Sequence, residues 1–213
     1  MFFLQTFLFA AGAVLSSIRF NSRQPAIRLL GVALWCSVLC NSISFILSIN
    51  HISANYGGSI FNIVVLPLIS LIYFNSTNRR NAKTFLIIGI LYEASAIFNL
   101  IFIQKGELNT NTLIALSLIV IVYALYYFYW LLQALPTEKL HKLPMFWVNT
   151  GYIIYYAGNL FLFIFASYLV KVLNNNLLIY WTMHNCMAIV EAILIITGVS
   201  MDLRNEKSSH SRS

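Results

Sequence analysis

Of 213 residues, 60% are hydrophobic and only 9% are charged, against about 25% charged in a soluble domain. A soluble fold of this length could not bury so much apolar surface in one core, which excludes an ordinary globular enzyme. The net charge of +7 would suit nucleic acid in a soluble protein. Here the basic residues fall in short loops, so they read as topology signals and nucleic acid is excluded as a partner.

Each membrane-spanning helix needs roughly 20 mainly apolar residues. The apolar runs predict an all-α polytopic membrane protein of seven transmembrane helices, at about 2–18, 26–48, 58–74, 84–103, 112–134, 144–170 and 178–200. They form a single domain, residues 1–200, followed by a polar cytoplasmic tail, 201–213, with a disordered end. The breaks are chemically legible. Arg19–Pro25 is polar and ends in a proline suited to a helix start. Asn50–Gly58 is turn-rich, Asn75–Lys83 is polar and basic, and Gln104–Asn111 has no long apolar stretch. Prolines bracket Pro136–Pro144, and Lys171–Asn176 is short.

The first run, Phe2–Ser17, has the length of a signal-peptide core, with Ala11-Gly12-Ala13 resembling a cleavage site. No basic residue precedes it, so a retained helix is expected. Gly12 and Ser16 in this helix, and Gly151 and Gly158 in the sixth, offer small faces for close helix packing. Pro67 is expected to kink the third helix. The tyrosine run Tyr123, Tyr126, Tyr127 and Tyr129 suits packing better than a pocket. Trp130, Trp147, Tyr180 and Trp181 sit where interfacial anchors belong. The cysteines Cys36, Cys40 and Cys186 lie in apolar runs without a CxxC pair, so they read as packing residues.

Basic residues orient the bundle. Loops one, three and five and the tail hold Arg19, Arg23, Arg28, Arg79, Arg80, Lys83, Lys139, Lys142, Arg204, Lys207 and Arg212, which is eleven; Lys105 and Lys171 lie on the other side. The positive-inside rule predicts an external N-terminus and a cytoplasmic C-terminus.

Two acidic residues fall within the predicted spans, Glu93 and Glu191. A charge at the bilayer centre costs roughly 2.5–3.5 kcal/mol on insertion scales. Each carboxyl must therefore face the interior, stay protonated or find a partner, and no lysine or arginine lies at that depth. His184 precedes Glu191 by two turns, about 10.5 Å at 1.5 Å per residue, and Asn185 adjoins it. Asn41, Asn62 and Asn159 lie on helices two, three and six, in the outer half or near mid-depth. If these residues converge they form a ligand pocket or a proton relay; otherwise they are interhelical hydrogen bonds. Helix seven has no lysine for a retinal Schiff base, and His184 is the one membrane-embedded histidine, which argues against a bis-histidine haem. No GxxxxGK[ST], HExxH or GxSxG motif occurs, so neither cofactor nor metal is expected.

Helix six carries Pro144, Phe146, Trp147, Gly151, Tyr155 and Gly158 in a P-x-F-W-x3-G-x3-Y-x2-G pattern, and helix seven begins with Trp181 and the His184-Asn185 pair. Over residues 136–200 this resembles a family of small uncharacterised bacterial seven-helix membrane proteins, similar in layout to the membrane-sensing portions of signalling proteins. Helix three departs from that pattern, with Val65-Leu66-Pro67 in place of an acidic or aromatic pair. The resemblance implies a sensory or partner-binding role in the bacterial inner membrane, with a separate cytoplasmic or membrane signalling protein to act on. A transporter or channel using Glu93, His184 and Glu191, and an intramembrane enzyme acting on lipid, are the alternatives.

Overall fold

A computed structural model describes residues 1–51, 55–79, 81–103, 109–134, 139–165 and 177–210. Among these residues the chain is all-helical, with no strand and seven α-helices: α1 (Phe2–Ser17), α2 (Pro25–Ile49), α3 (Asn55–Ser76), α4 (Ala82–Phe98), α5 (Thr110–Ala134), α6 (Pro144–Ile164) and α7 (Leu177–His210). Prolines open α2 and α6 at their first turn, where a missing N–H costs nothing. Residues in the left-handed region break the chain between helices: Arg19 after α1, His51 after α2, and Asn78, Arg79 and Asn81 between α3 and α4. At its far end α4 widens into a π-type turn, Asn99–Ile103.

Four segments are long and apolar enough to cross a membrane: Pro25–Ile49, Ala82–Ile103, Thr110–Ala134 and Ile179–Asn205. Phe2–Ser17 and Ile60–Ser76 are shorter apolar helices. In α6 the apolar run is interrupted by Asn149, Tyr152, Tyr155, Tyr156 and Asn159. Large apolar side chains also cover the outside, among them Leu86, Ile87, Ile90 and Leu91 on α4 and Val122, Leu125 and Leu132 on α5. That outward display is costly in water and favourable in lipid, and this is a membrane protein.

Contacts fix the relative directions of the helices. Gly12 of α1 meets Leu34 of α2 and Ile196 of α7. Asn62 of α3 meets Tyr92 of α4. Tyr73 of α3 meets Asn149 of α6, and Gly198 of α7 meets Pro144 of α6. Helices α1, α3 and α7 therefore run one way and α2, α4 and α6 the other. The most extensive interface joins α6 to α7, while α4 packs mainly on α3 and lies at the periphery.

Small residues set the tightest approaches. A β-carbon on Gly151 would lie 3.3 Å from the Glu191 backbone oxygen, and one on Gly158 would lie 3.0 Å from the Met187 sulfur. One on Gly12 would lie 3.3 Å from Leu34 Cδ1. Two crowded sites lie outside the expected set. At Gly198 a β-carbon would stand 2.6 Å from the Pro144 carbonyl oxygen, and at Gly31 2.5 Å from Ser16 Oγ. Helix α3 continues through Pro67.

The segment expected to be a polar tail departs most from expectation. Helix α7 runs on to His210, about ten residues past the predicted end near 200. A buried ion pair lies two residues beyond that point and holds the helix there. Arg23 lies 3% exposed, and its Nη1 donates to Asp202 Oδ2 at 3.3 Å and to the Val199 carbonyl at 2.9 Å. Its Nε donates to the Ile18 carbonyl at 3.1 Å, and its Nη2 donates to the Leu15 carbonyl. One guanidinium thus ties the end of α1, the start of α2 and α7 together. Arg23 is one of the eleven basic residues of the predicted cytoplasmic side, yet it is a core residue. Helix α6 ends at Ile164, and the predicted continuation to 170 falls largely outside the described residues.

Candidate functional site

At the end of the bundle opposite that ion pair, the helices diverge around a cavity of about 490 Å³. Every helix but α4 contributes to its wall. Helix α7 supplies Trp181, His184, Asn185 and Glu191, and α6 supplies Tyr152, Tyr155, Tyr156 and Phe163. Helix α2 presents Ser37, Asn41, Ser44 and Ser48, and α3 presents Phe61, Asn62 and Val65. Gln5 and Phe2 enter from α1, and Asn109 and Ser117 from the α5 side.

Of the residues singled out in the sequence, Asn41, Asn62, His184, Asn185 and Glu191 share this wall. Asn159 does not reach the cavity; it stands behind His184 and orients it. Glu93 is elsewhere. It sits on peripheral α4, away from the lining residues, with Oε1 buried and without a hydrogen-bond partner among the described residues. Its neighbour Tyr92 turns inward instead and donates to the Asn62 carbonyl at 3.0 Å. A relay joining Glu93 to His184 and Glu191 is therefore not assembled. Gly151 and Gly158 act behind the site by bringing α6 against α7.

The protonation of His184 follows from its neighbour. Asn159 Nδ2 donates to the Tyr155 carbonyl at 2.9 Å, which fixes the amide with Oδ1 toward the imidazole. His184 Nδ1 lies 2.7 Å from that oxygen and so must carry the proton. In the neutral ring, Nε2 is then an acceptor. The imidazole is packed edge-on against Tyr155 and Trp181, at centroid distances of 5.8 and 5.6 Å, with Phe163 at 6.3 Å. Trp181 and Tyr180, expected as interfacial anchors, belong to this wall.

Glu191 is 5% exposed and faces the cavity, with no hydrogen bond or ion pair to it among the described residues. Asn185 Nδ2 donates to the Trp181 carbonyl at 2.7 Å. Ser37 and Ser117 donate their hydroxyl protons to Ala33 and Leu113 carbonyls in their own helices. A polar cluster at the rim joins Asn99, in the π-type turn, to Asn109 and Thr112: Asn99 Nδ2 donates to both side chains, and Thr112 Oγ1 donates to Asn109 Oδ1 at 2.7 Å.

Below the cavity the bundle is filled. Ile27, Ile72, Tyr73, Val148, Asn149 and Val199 are fully buried. Tyr73 donates to Asn149 Oδ1 at 2.6 Å, and Asn149 Nδ2 donates to the Ala124 carbonyl at 3.2 Å. Tyr123, Tyr127 and Tyr152 crowd the Tyr73 ring. Of the tyrosine run in α5, none lines the cavity: Tyr123 and Tyr127 are in this packed layer, Tyr126 accepts from Asn81, and Tyr129 is exposed. Among the described residues no group of three His, Cys, Asp or Glu side chains could hold a metal ion, and the three cysteines are free thiols.

The serine face of α2 and, Tyr155 apart, the tyrosines of α6 were not singled out from the sequence, although the signal is there. Positions 37, 41, 44 and 48 repeat at helical spacing in an otherwise apolar helix, as do 152, 155, 156, 159 and 163. No protein-family model, curated protein or solved structure matches the chain.

Proposed function

We propose that the chain is a multi-pass protein of a bacterial inner membrane, crossing it seven times with the N-terminus outside and the C-terminus in the cytoplasm, and that it works as a sensor. A small molecule enters the cavity from the external side and biases the packing of α2, α6 and α7. A separate cytoplasmic or membrane signalling protein reads the change at the basic end. The alternating helix directions and the division of basic residues, eleven against two, support the orientation.

The observation that carries the reading is the cavity of about 490 Å³ ending on a fully packed layer. That volume lies within the range of small-molecule sites, roughly 300–1,000 Å³, and the apolar wall with a few placed polar groups has their character. A filled layer between the cavity and the basic end favours ligand sensing over conduction. A transporter is the second reading, favoured by one observation: Glu191 faces the cavity without a cation beside it among the described residues.

Reconstitution in proteoliposomes with an internal pH-sensitive dye separates the two. The sensor reading expects no proton flux above that of protein-free vesicles. Flux that disappears in Glu191→Gln would establish the transporter in its place. The same preparation should leave its lipids chemically unchanged; turnover abolished by His184→Ala would point to an enzyme.

A further inference from the structure

We infer that the ligand of this cavity is an organic cation, a primary amine on an apolar or aromatic body, with its ammonium seated at Glu191. The inference rests on the reading of the cavity as a ligand site and adds the chemical class of what it takes.

Charge is the first argument. Among the described residues Glu191 is the one acidic side chain on the wall, and no lysine or arginine lines it. A lone carboxylate taken out of water is costly unless a cation compensates it. An ammonium would do so, whereas an anionic ligand would add a like charge in a medium of low dielectric.

Hydrogen bonding is the second. Among the described residues the wall keeps unengaged acceptors beside unengaged donors, the Trp181 indole N–H and the Asn41 and Asn62 amides among them. Glu191 has no donor among the described residues, and Gln5 Oε1 is buried without a partner. His184 has its Nδ1 proton engaged with Asn159, which leaves Nε2 as an acceptor. Ser37 and Ser117 direct their protons to backbone carbonyls and keep their lone pairs. A ligand that brings N–H donors can engage these acceptors.

The third argument is the aromatic content. Tyr152, Tyr155, Tyr156 and Trp181 surround the region between His184 and Glu191 along α6 and α7, and aromatic faces attract cations while accommodating an apolar body. The volume of about 490 Å³ is far larger than a bare inorganic ion needs, so the charge must be carried on an organic frame.

Three indoles that share an apolar body and differ in head group test the inference: tryptamine, protonated at neutral pH; tryptophol, neutral; and indoleacetate, anionic. Binding to the full chain in nanodiscs is read by calorimetry, with empty nanodiscs subtracted. Tryptamine should bind at least about tenfold tighter than tryptophol, a difference of roughly 1.4 kcal/mol, and indoleacetate weakest of all. Glu191→Gln should bring tryptamine down to the level of tryptophol and leave tryptophol unchanged. If tryptophol or indoleacetate binds wild type as well as tryptamine does, or if Glu191→Gln leaves the tryptamine preference intact, the cation inference falls while the ligand site stands. If none of the three binds, both fall. Should Glu191→Gln not fold, the order of the three in wild type decides alone.

Discussion

The two ends of the bundle treat polar groups in opposite ways. At the basic end buried polar groups are matched within the protein: Arg23 with Asp202 and backbone carbonyls, Tyr73 with Asn149. At the other end His184 is held by Asn159, but Glu191, Asn41 and the serine face of α2 look into a shared volume. Polar residues of the first kind cement helices, and their loss exposes an uncompensated partner. Those of the second kind hold no helix to its neighbour, so they are available to a ligand. Burial alone does not separate the two kinds, because Asp202 and Glu191 are about equally buried.

The sharpest way to break this contrast is to remove an acid from the matched end. Asp202→Ala leaves the Arg23 guanidinium buried with only neutral acceptors, and should cost about 3 kcal/mol, seen as a lowered thermal unfolding midpoint in nanodiscs. A midpoint within error of wild type would mean that the pair does not hold α1, α2 and α7 together. A smaller loss is expected from Gly198→Ala. Its new methyl would meet the Pro144 carbonyl at 2.6 Å, and forcing the α6–α7 contact apart should cost about 1–3 kcal/mol. Gly58→Ala serves as a control, since nothing lies within 4 Å of that site. The smallest effect belongs to the cavity. Asn41→Ala and Ser44→Ala should change stability by no more than about 0.5 kcal/mol, because neither side chain bridges helices. A loss like that of Asp202→Ala would place them with the cementing groups and erase the distinction.

Much of the architecture was legible because lipid imposes a simple rule: long apolar runs become helices and polar breaks become turns. The helix starts at Pro25 and Pro144 match the expected positions to about a residue. The end of α7 was not legible, because Met201–Asn205 reads as polar until Asp202 is seen against Arg23, a contact across 179 positions. For the site, position along the helices put Asn41, Asn62, His184, Asn185 and Glu191 between the outer part of the membrane and mid-depth, and they do share a wall. Glu93 has the same depth but sits on peripheral α4. Which helix lies outside is decided by packing among all of them, and a single helix records its own periodicity, not its rank in the bundle. Likewise the eleven basic residues were counted as equals, although Arg23 bonds inside the core to four partners, Leu15, Ile18, Val199 and Asp202.

The Arg23–Asp202 pair also sets an order of assembly in time. The arginine is translated 179 residues before its acid. At roughly 5–20 residues per second, a ribosome takes about ten to forty seconds to cover that distance. Throughout that interval the first two helices are in the translocon or the bilayer with the guanidinium lacking its counter-charge. The lock on α1, α2 and α7 can therefore close only when the last helix arrives.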